Sequence, residues 1–309
     1  MTAITPSASA PTRVPDASPS RAIALHRDVL LASDGSPAAF AATRFLAALS
    51  ARLPLTPHVL TVVPLPSATV DPVGAGIAFG ASLEAELRAE VEGQLERCSA
   101  GAWSQEIGVG LASTEIVRAA ERLGSELIVL GLRPHALLDR VFRDETALSV
   151  MRHAKAPVLA VTPLLQRAPR RIAVAIDFSR ASVAAARAAL ALLDDDGVLE
   201  LVYVEPASEP RSDETEGYAT IYAQGVAAAF SRLRQELASR SNVTIETVVL
   251  HGAVVPELLS FVERANIDLL AVGSQRHNVA RCAFVGGVTT ALTRAAACSL
   301  LVIPPGRRV

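Results

Sequence analysis

Short apolar runs and longer amphipathic stretches alternate along this chain in a regular order. Residues 29–33 are apolar almost throughout and end at an Asp-Gly-Ser turn, which suits a parallel strand buried on both faces. Residues 38–53 are rich in alanine and leucine with Arg44 and Arg52 interspersed, and predict a helix. A second strand follows at 58–63, then a Gly/Pro-rich loop at 64–80 and a charged helix from Ser82 to about Cys98. A weak third strand is expected at 106–110, a helix at 115–123 and a fourth strand at 127–130. A polar loop from Gly131, a helix near 146–154 and a strand at 158–161 complete the series.

The series then repeats. Val29-Leu-Leu-Ala-Ser-Asp34 returns as Ile172-Ala-Val-Ala-Ile-Asp177, 143 positions on. Ser125-Glu-Leu-Ile-Val-Leu-Gly131 returns as Ile267-Asp-Leu-Leu-Ala-Val-Gly273, and Pro157-Val-Leu-Ala-Val as Ser299-Leu-Leu-Val-Ile, both at 142. A constant offset over separated segments means a duplicated domain, not a short solenoid repeat. Strands of the second copy are expected at 172–176, 199–204, 244–250, 269–272 and 300–303. Strand-helix alternation of this kind argues for an α/β fold with a parallel sheet in each copy and helices on both faces. The expected domains are 27–163 and 171–306, joined by a linker at 164–170 and preceded by a leader at 1–26. That leader holds four prolines and four serines and lacks an apolar core, so it reads as disordered and not as a signal peptide.

In open parallel sheets ligands bind beyond the carboxyl ends of the strands. Two features fall there in each copy: the Asp ending strand one (Asp34, Asp177) and the loop after strand four (from Gly131, from Gly273). On local grounds alone, an Asp between strand and helix is equally a turn former or N-cap.

The strand-Asp-x-Ser start, the strand-four segment closing in Gly, and the ending Arg152-His-Ala-Lys-Ala-Pro-Val-Leu-Ala-Val161 resemble the universal stress protein family. Two copies in one chain resemble its tandem members, over roughly residues 27–306. The resemblance implies two tandem five-stranded, parallel-sheet, Rossmann-like domains of the adenine nucleotide alpha hydrolase-like type. It implies pairing of the two halves through strand five, and leaves a homodimer of whole chains open. In some members of the family the Asp closing strand one and the backbone at the end of strand two hold adenine and ribose. The matching second-strand positions here are Val62 and Val204. A Gly-x-x-Gly-(nine residues)-Gly-Ser/Thr loop holds the phosphates in those members, and others bind no ATP.

The two copies depart unequally from that loop. In the first, Pro134 stands at the second glycine, and Asp144 and Glu145 replace Gly-Ser. Proline has no N–H to offer a phosphate, and carboxylates at close range repel one. Arg133, His135, Arg140 and Arg143 keep that loop basic, with Asp139, Asp144 and Glu145 as partners. In the second copy Arg276 replaces the second glycine and brings a charge that pairs with phosphate. Gly286, Gly287, Val288 and Thr289 follow, and no carboxylate occurs after Asp268. Glycines let backbone N–H groups approach phosphate, and a helix N-terminus adds more. The site is therefore expected in the second copy, at Asp177, Val204, Gly273, Arg276, Gly286, Gly287, Val288 and Thr289, with ATP or another adenine nucleotide as ligand. The alternative is an interaction or dimerisation module of the same fold without nucleotide.

Composition narrows the partners. The net charge of -2 and an aromatic share of 4% give no footing for nucleic acid or an anionic membrane. No apolar run approaches a membrane span. Cys98, Cys282 and Cys298 form no C-x-x-C pair, which fits a reduced, cytoplasmic setting. The six histidines show no metal-ligand spacing and read as surface or loop residues. The run from Gly74 to Gly80 lacks dinucleotide spacing and reads as a mobile loop. No nucleophile-base pair, Walker loop or esterase elbow can be named, so no enzyme is expected; a regulatory role in stress physiology is what the resemblance implies. A slow ATPase or kinase-like enzyme is the remaining enzyme reading.

Overall fold

The computed structural model describes residues 28–64, 75–133, 145–205, 215–238, 242–274, 287–295 and 297–305. The expected leader, the tip of each phosphate loop and Cys282 lie outside these residues. The first half runs β1 (Asp28–Ala32), α1 (Pro37–Ser50), β2 (Thr56–Val63), α2 (Ala75–Arg97), β3 (Ser104–Val109), α3 (Ala112–Arg122), β4 (Leu127–Gly131), α4 (Glu145–His153) and β5 (Val158–Val161). The second runs β6 (Arg171–Ala175), α5 (Arg180–Leu192), β7 (Val198–Glu205), α6 (Thr215–Leu237), β8 (Thr244–His251), α7 (Val254–Arg264), β9 (Leu269–Gly273), α8 (Gly287–Ala295) and β10 (Ser299–Ile303).

Each half is a five-stranded parallel sheet, and the two join as one ten-stranded sheet in the order β3-β2-β1-β4-β5-β10-β9-β6-β7-β8. The central strands are apolar on both faces because helices cover both. Helices α1, α2, α5 and α6 contribute to one core layer, and α3, α4, α7 and α8 to the other. The helix after the first strand is started the same way in both halves. Ser36 Oγ accepts the Ala39 N–H and Ser179 Oγ accepts the Ser182 N–H, each at 3.2 Å. Such a cap satisfies a backbone donor that the helix cannot.

One expectation is corrected here. Helix α2 begins at Ala75 and not near Ser82, so residues 75–80, expected as loop, are helical backbone. Propagating an established helix by another turn costs less than starting one, and the alanines in 75–81 favour it over the two glycines.

The halves meet where β5 and β10 pair antiparallel, Leu300 opposite Ala160, Leu301 opposite Leu159 and Val302 opposite Val158. Left alone, each would be an apolar edge strand, a template for aggregation. Leu159 and Leu301 are equivalent positions, 142 apart, so a pseudo-twofold axis passes between them. The same axis brings together Met151 and Thr293, also 142 apart, with Thr293 Oγ1 at 3.4 Å from Met151 Sδ. Beside the junction the Thr162 N–H donates to Ser299 Oγ at 3.0 Å, both residues being buried. We predict that Ser299→Ala, which orphans that buried N–H, lowers stability by about 1–3 kcal/mol in denaturant titrations.

Candidate functional site

The carboxyl ends of the strands carry the expected aspartates in matching geometry. Beyond β1, the Ser33 N–H donates to the Leu60 carbonyl, and beyond β6, that of Ile176 to Val202. Asp34 and Asp177 follow, both exposed. Asp34 Oδ1 accepts the Ser36 N–H at 3.0 Å, and Asp177 Oδ1 accepts the Ser179 N–H at 2.9 Å. One oxygen of each thus forms the turn into the helix, and the residue is structural whatever else it does.

The glycine ending strand four also has a packing reason. A Cβ on Gly131 would collide with the backbone of Ala38, and one on Gly273 with that of Ala181. The first turn of α1 or α5 lies directly on that glycine. This close approach holds the helix N-terminus over the strand ends and shapes the cleft.

In the first half the cleft is an open cavity of about 450 Å³, lined by Asp34, Ser36, Val62, Ile116, Gly131 and Arg133 among others. Its volume lies in the range of small-molecule sites. Alanines make much of the room. In the second half Val254 and Thr289 stand at the positions of Ala112 and Ala147, 142 residues on, and Thr289 is buried. Val204 is buried one residue before the end of β7, and Val62 stands at the matching place in β2. Gly287 opens α8 with clear space beside its Cα, Val288 is 37% exposed, and the first turn holds no acidic residue. By contrast α4 opens on Glu145. Of the expected site, Asp177, Val204, Gly273, Gly287, Val288 and Thr289 are described, while Arg276 and Gly286 lie outside the described residues.

A group of aromatic residues next to Asp177 is a feature that the sequence reading missed. Phe178 takes a left-handed backbone, φ 58°, where the first copy has Gly35 at φ 73°. A side chain in that region costs about 1–2 kcal/mol. Phe178 recovers it by packing on Tyr203 and, edge-on, on Phe230, with ring centres 5.5 and 5.2 Å away. Such pairs contribute about 0.5–1.5 kcal/mol each beyond their burial. In the first copy the corresponding space belongs to α2: a Cβ on Gly35 would lie 2.8 Å from Glu90 Cγ, and Gln94 donates to the Gly35 carbonyl. The Gly-to-Phe exchange at this turn was the available signal.

The Tyr203 and Tyr222 hydroxyls are hydrogen-bonded to each other. That bond first, and burial second, push the Tyr203 phenol up to about 12. Cys298 is buried at the junction, and burial pushes its thiol up to about 12 as well, leaving a protonated and inert group. His58, expected as a surface residue, instead bridges strands near their amino ends, Nδ1 at 2.6 Å from Ser104 Oγ and Nε2 at 3.4 Å from Asp28 Oδ1. Arg171 and buried Glu200 form an ion pair at the matching place in the second half, which marks a structural polar ladder. Among the described residues no helix is long and apolar enough to cross a membrane, and no cluster of three or more metal-ligating side chains occurs.

Two α/β halves with the same aspartate, glycine and helix start at their strand ends define a tandem Rossmann-like protein. The family model for universal stress proteins matches residues 26–162 and again 169–304. The chain belongs to the universal stress protein family, as a tandem member. Its fold is similar to a universal stress protein from Archaeoglobus fulgidus, with TM-score 0.65 and 19% identity over 90% of this chain and 98% of that one. A protein from Pseudomonas aeruginosa UCBPP-PA14, provisionally assigned to the same family, is similar with TM-score 0.55 and 17% identity over 90% and 93%. No curated protein matches the chain significantly.

Two predictions follow from this geometry. Gly273→Ala should cost about 1–3 kcal/mol in denaturant unfolding, by overpacking against Ala181. In the folded protein the Tyr203 proton is held more tightly than its ordinary 10.0. Its stabilising contribution is therefore full below about pH 10 and lost towards about pH 12. A tyrosinate absorbance titration should show one late-ionising phenol, moved down towards the ordinary range in Tyr222→Phe.

Proposed function

We propose that this chain is a stress-response regulatory protein that binds an adenine nucleotide mainly in its second half. The observation that carries this is the contrast between the two helix starts that follow the strand-four loops. The first turn of α8 holds no acid and opens on Gly287, whereas α4 opens on Glu145. Unpaired N–H groups at a helix start favour an anion, and a carboxylate there competes with it. In the proposed site Asp177 and the Val204 backbone meet ribose and adenine, while Gly273, Gly286, Gly287, Val288 and Thr289 shape the phosphate end, with Arg276 as cation.

A second reading, an interaction or dimerisation module of the same fold without nucleotide, draws on the first half. Its cavity of about 450 Å³ has room for a compact ligand, and Pro134 with Glu145 disfavour a triphosphate there. The test is mass spectrometry of ligand released from purified protein, followed by ATP titration. Asp177→Ala should weaken ATP binding about tenfold, as expected for one lost hydrogen bond to a charged or polar group. Asp34→Ala should leave it unchanged. The reverse pattern reassigns the site to the first half, and no nucleotide in either measurement leaves the interaction-module reading.

A further inference from the structure

We propose that the groove between α6 and edge strand β8, on the other side of the sheet from α7 and α8, binds a linear aliphatic carboxylate. The groove has a volume of about 470 Å³ and runs along α6 from Tyr222 to Arg234. That is thirteen residues, with a rise of about 18 Å from first to last. A cavity so long for its volume is narrow, and suits an extended chain better than a compact ring. Its floor is apolar, formed by Val226 and Phe230 of α6 with Val249 of β8. Tyr222 and Val249 are 43% and 42% exposed, so the groove leaves large apolar side chains uncovered.

Charge fixes the ligand's polarity and direction. Arg234 lies at one end and has no ion-pair partner among the described residues. At the other end Glu205 Oε2 is 3.3 Å from His251 Nδ1. An acid group is drawn to Arg234 and repelled by Glu205, with the alkyl chain between them on Val226, Phe230 and Val249.

The first copy is the control. At the 142-residue offset Val91 and Leu95 match Leu233 and Leu237, all of them buried in the core, so the register of the two helices is fixed. At that register Val226, Phe230 and Arg234 correspond to Glu84, Arg88 and Glu92. Glu84 and Arg88 form an ion pair at 2.9 Å along α2. The first copy thus covers this face with its own charges and ends it in a carboxylate. The second has replaced the ion pair by an apolar floor and reversed the terminal charge. Structural upkeep explains neither change, since a charged face on an exposed helix is the ordinary solution.

The test uses the full chain, with decanoate below its micelle concentration as probe and decanol as its uncharged counterpart, measured by calorimetry. Decanoate is expected to bind one site and decanol at least about tenfold more weakly, the difference of one charge-assisted contact. Arg234→Gln, an exposed change that leaves the core intact, should weaken decanoate about tenfold. Val226→Glu, which restores the first copy's residue, should abolish binding, and Arg88→Gln in the first copy should have no effect. Saturating ATP should not displace decanoate, because the nucleotide cleft lies elsewhere. No binding to the unaltered chain, equal affinity for decanol, an unaffected Arg234→Gln variant or displacement by ATP would each overturn the proposal.

Discussion

The antiparallel seam between β5 and β10 is the interaction on which the rest of the molecule depends. Both strands are buried along their whole length, and neither half alone has anything to set against them. Pairing them converts two sheets with apolar edges into one sheet whose outer strands, β3 and β8, are the exposed ones. The two core layers then run continuously through both halves, with Leu31 and Leu301 in one and Leu30 and Leu300 in the other. Everything at the carboxyl ends of the strands is positioned from this shared platform. The aspartates, the helix starts and the glycine contacts with α1 and α5 inherit its rigidity.

On that platform the two halves have diverged in opposite senses on their two faces. Around the aspartates the first half keeps the small residues Ala112 and Ala147, and the second has Val254 and Thr289. On the α2 and α6 side the trend differs: the first half is charged, with Glu84 and Arg88 paired, and the second is aromatic and apolar. Phe178 connects these two regions. It follows Asp177 directly, yet its ring lies among Tyr203 and Phe230 on the side of α6. The strained backbone at this residue is therefore shared between the turn that holds the aspartate and the packing beneath the groove.

Much of the fold was legible because it rests on patterns that local sequence carries. Apolar runs bounded by Asp-Gly-Ser or Gly mark buried parallel strands, and the 142-residue offset exposed the duplication. The start of α2 was misread because glycines in a helix only weaken it, and the following turns were strong enough to carry the helix back to Ala75. The site was legible in part. Asp177 and Gly273 were found from their place after strands, but their structural duties were not, since those depend on what lies across the cleft. No local pattern says that Ala181 backbone sits against Gly273. The aromatic group was invisible for the same reason: Phe178, Tyr203 and Phe230 come from three separate elements and meet only in the fold.

The pseudo-twofold axis has a consequence that reaches beyond packing. In a dimer of identical chains, any residue on the axis meets itself, and every substitution appears twice. Here the positions on the axis are encoded separately, and at one of them Met151 faces Thr293. A thioether packs against a hydroxyl that is already bonded to the Thr289 carbonyl, a contact which neither two methionines nor two threonines would reproduce. Joining the copies in one chain released the seam from symmetry, so the interface itself now distinguishes left from right. Each half is fitted to the other and not to a second copy of itself.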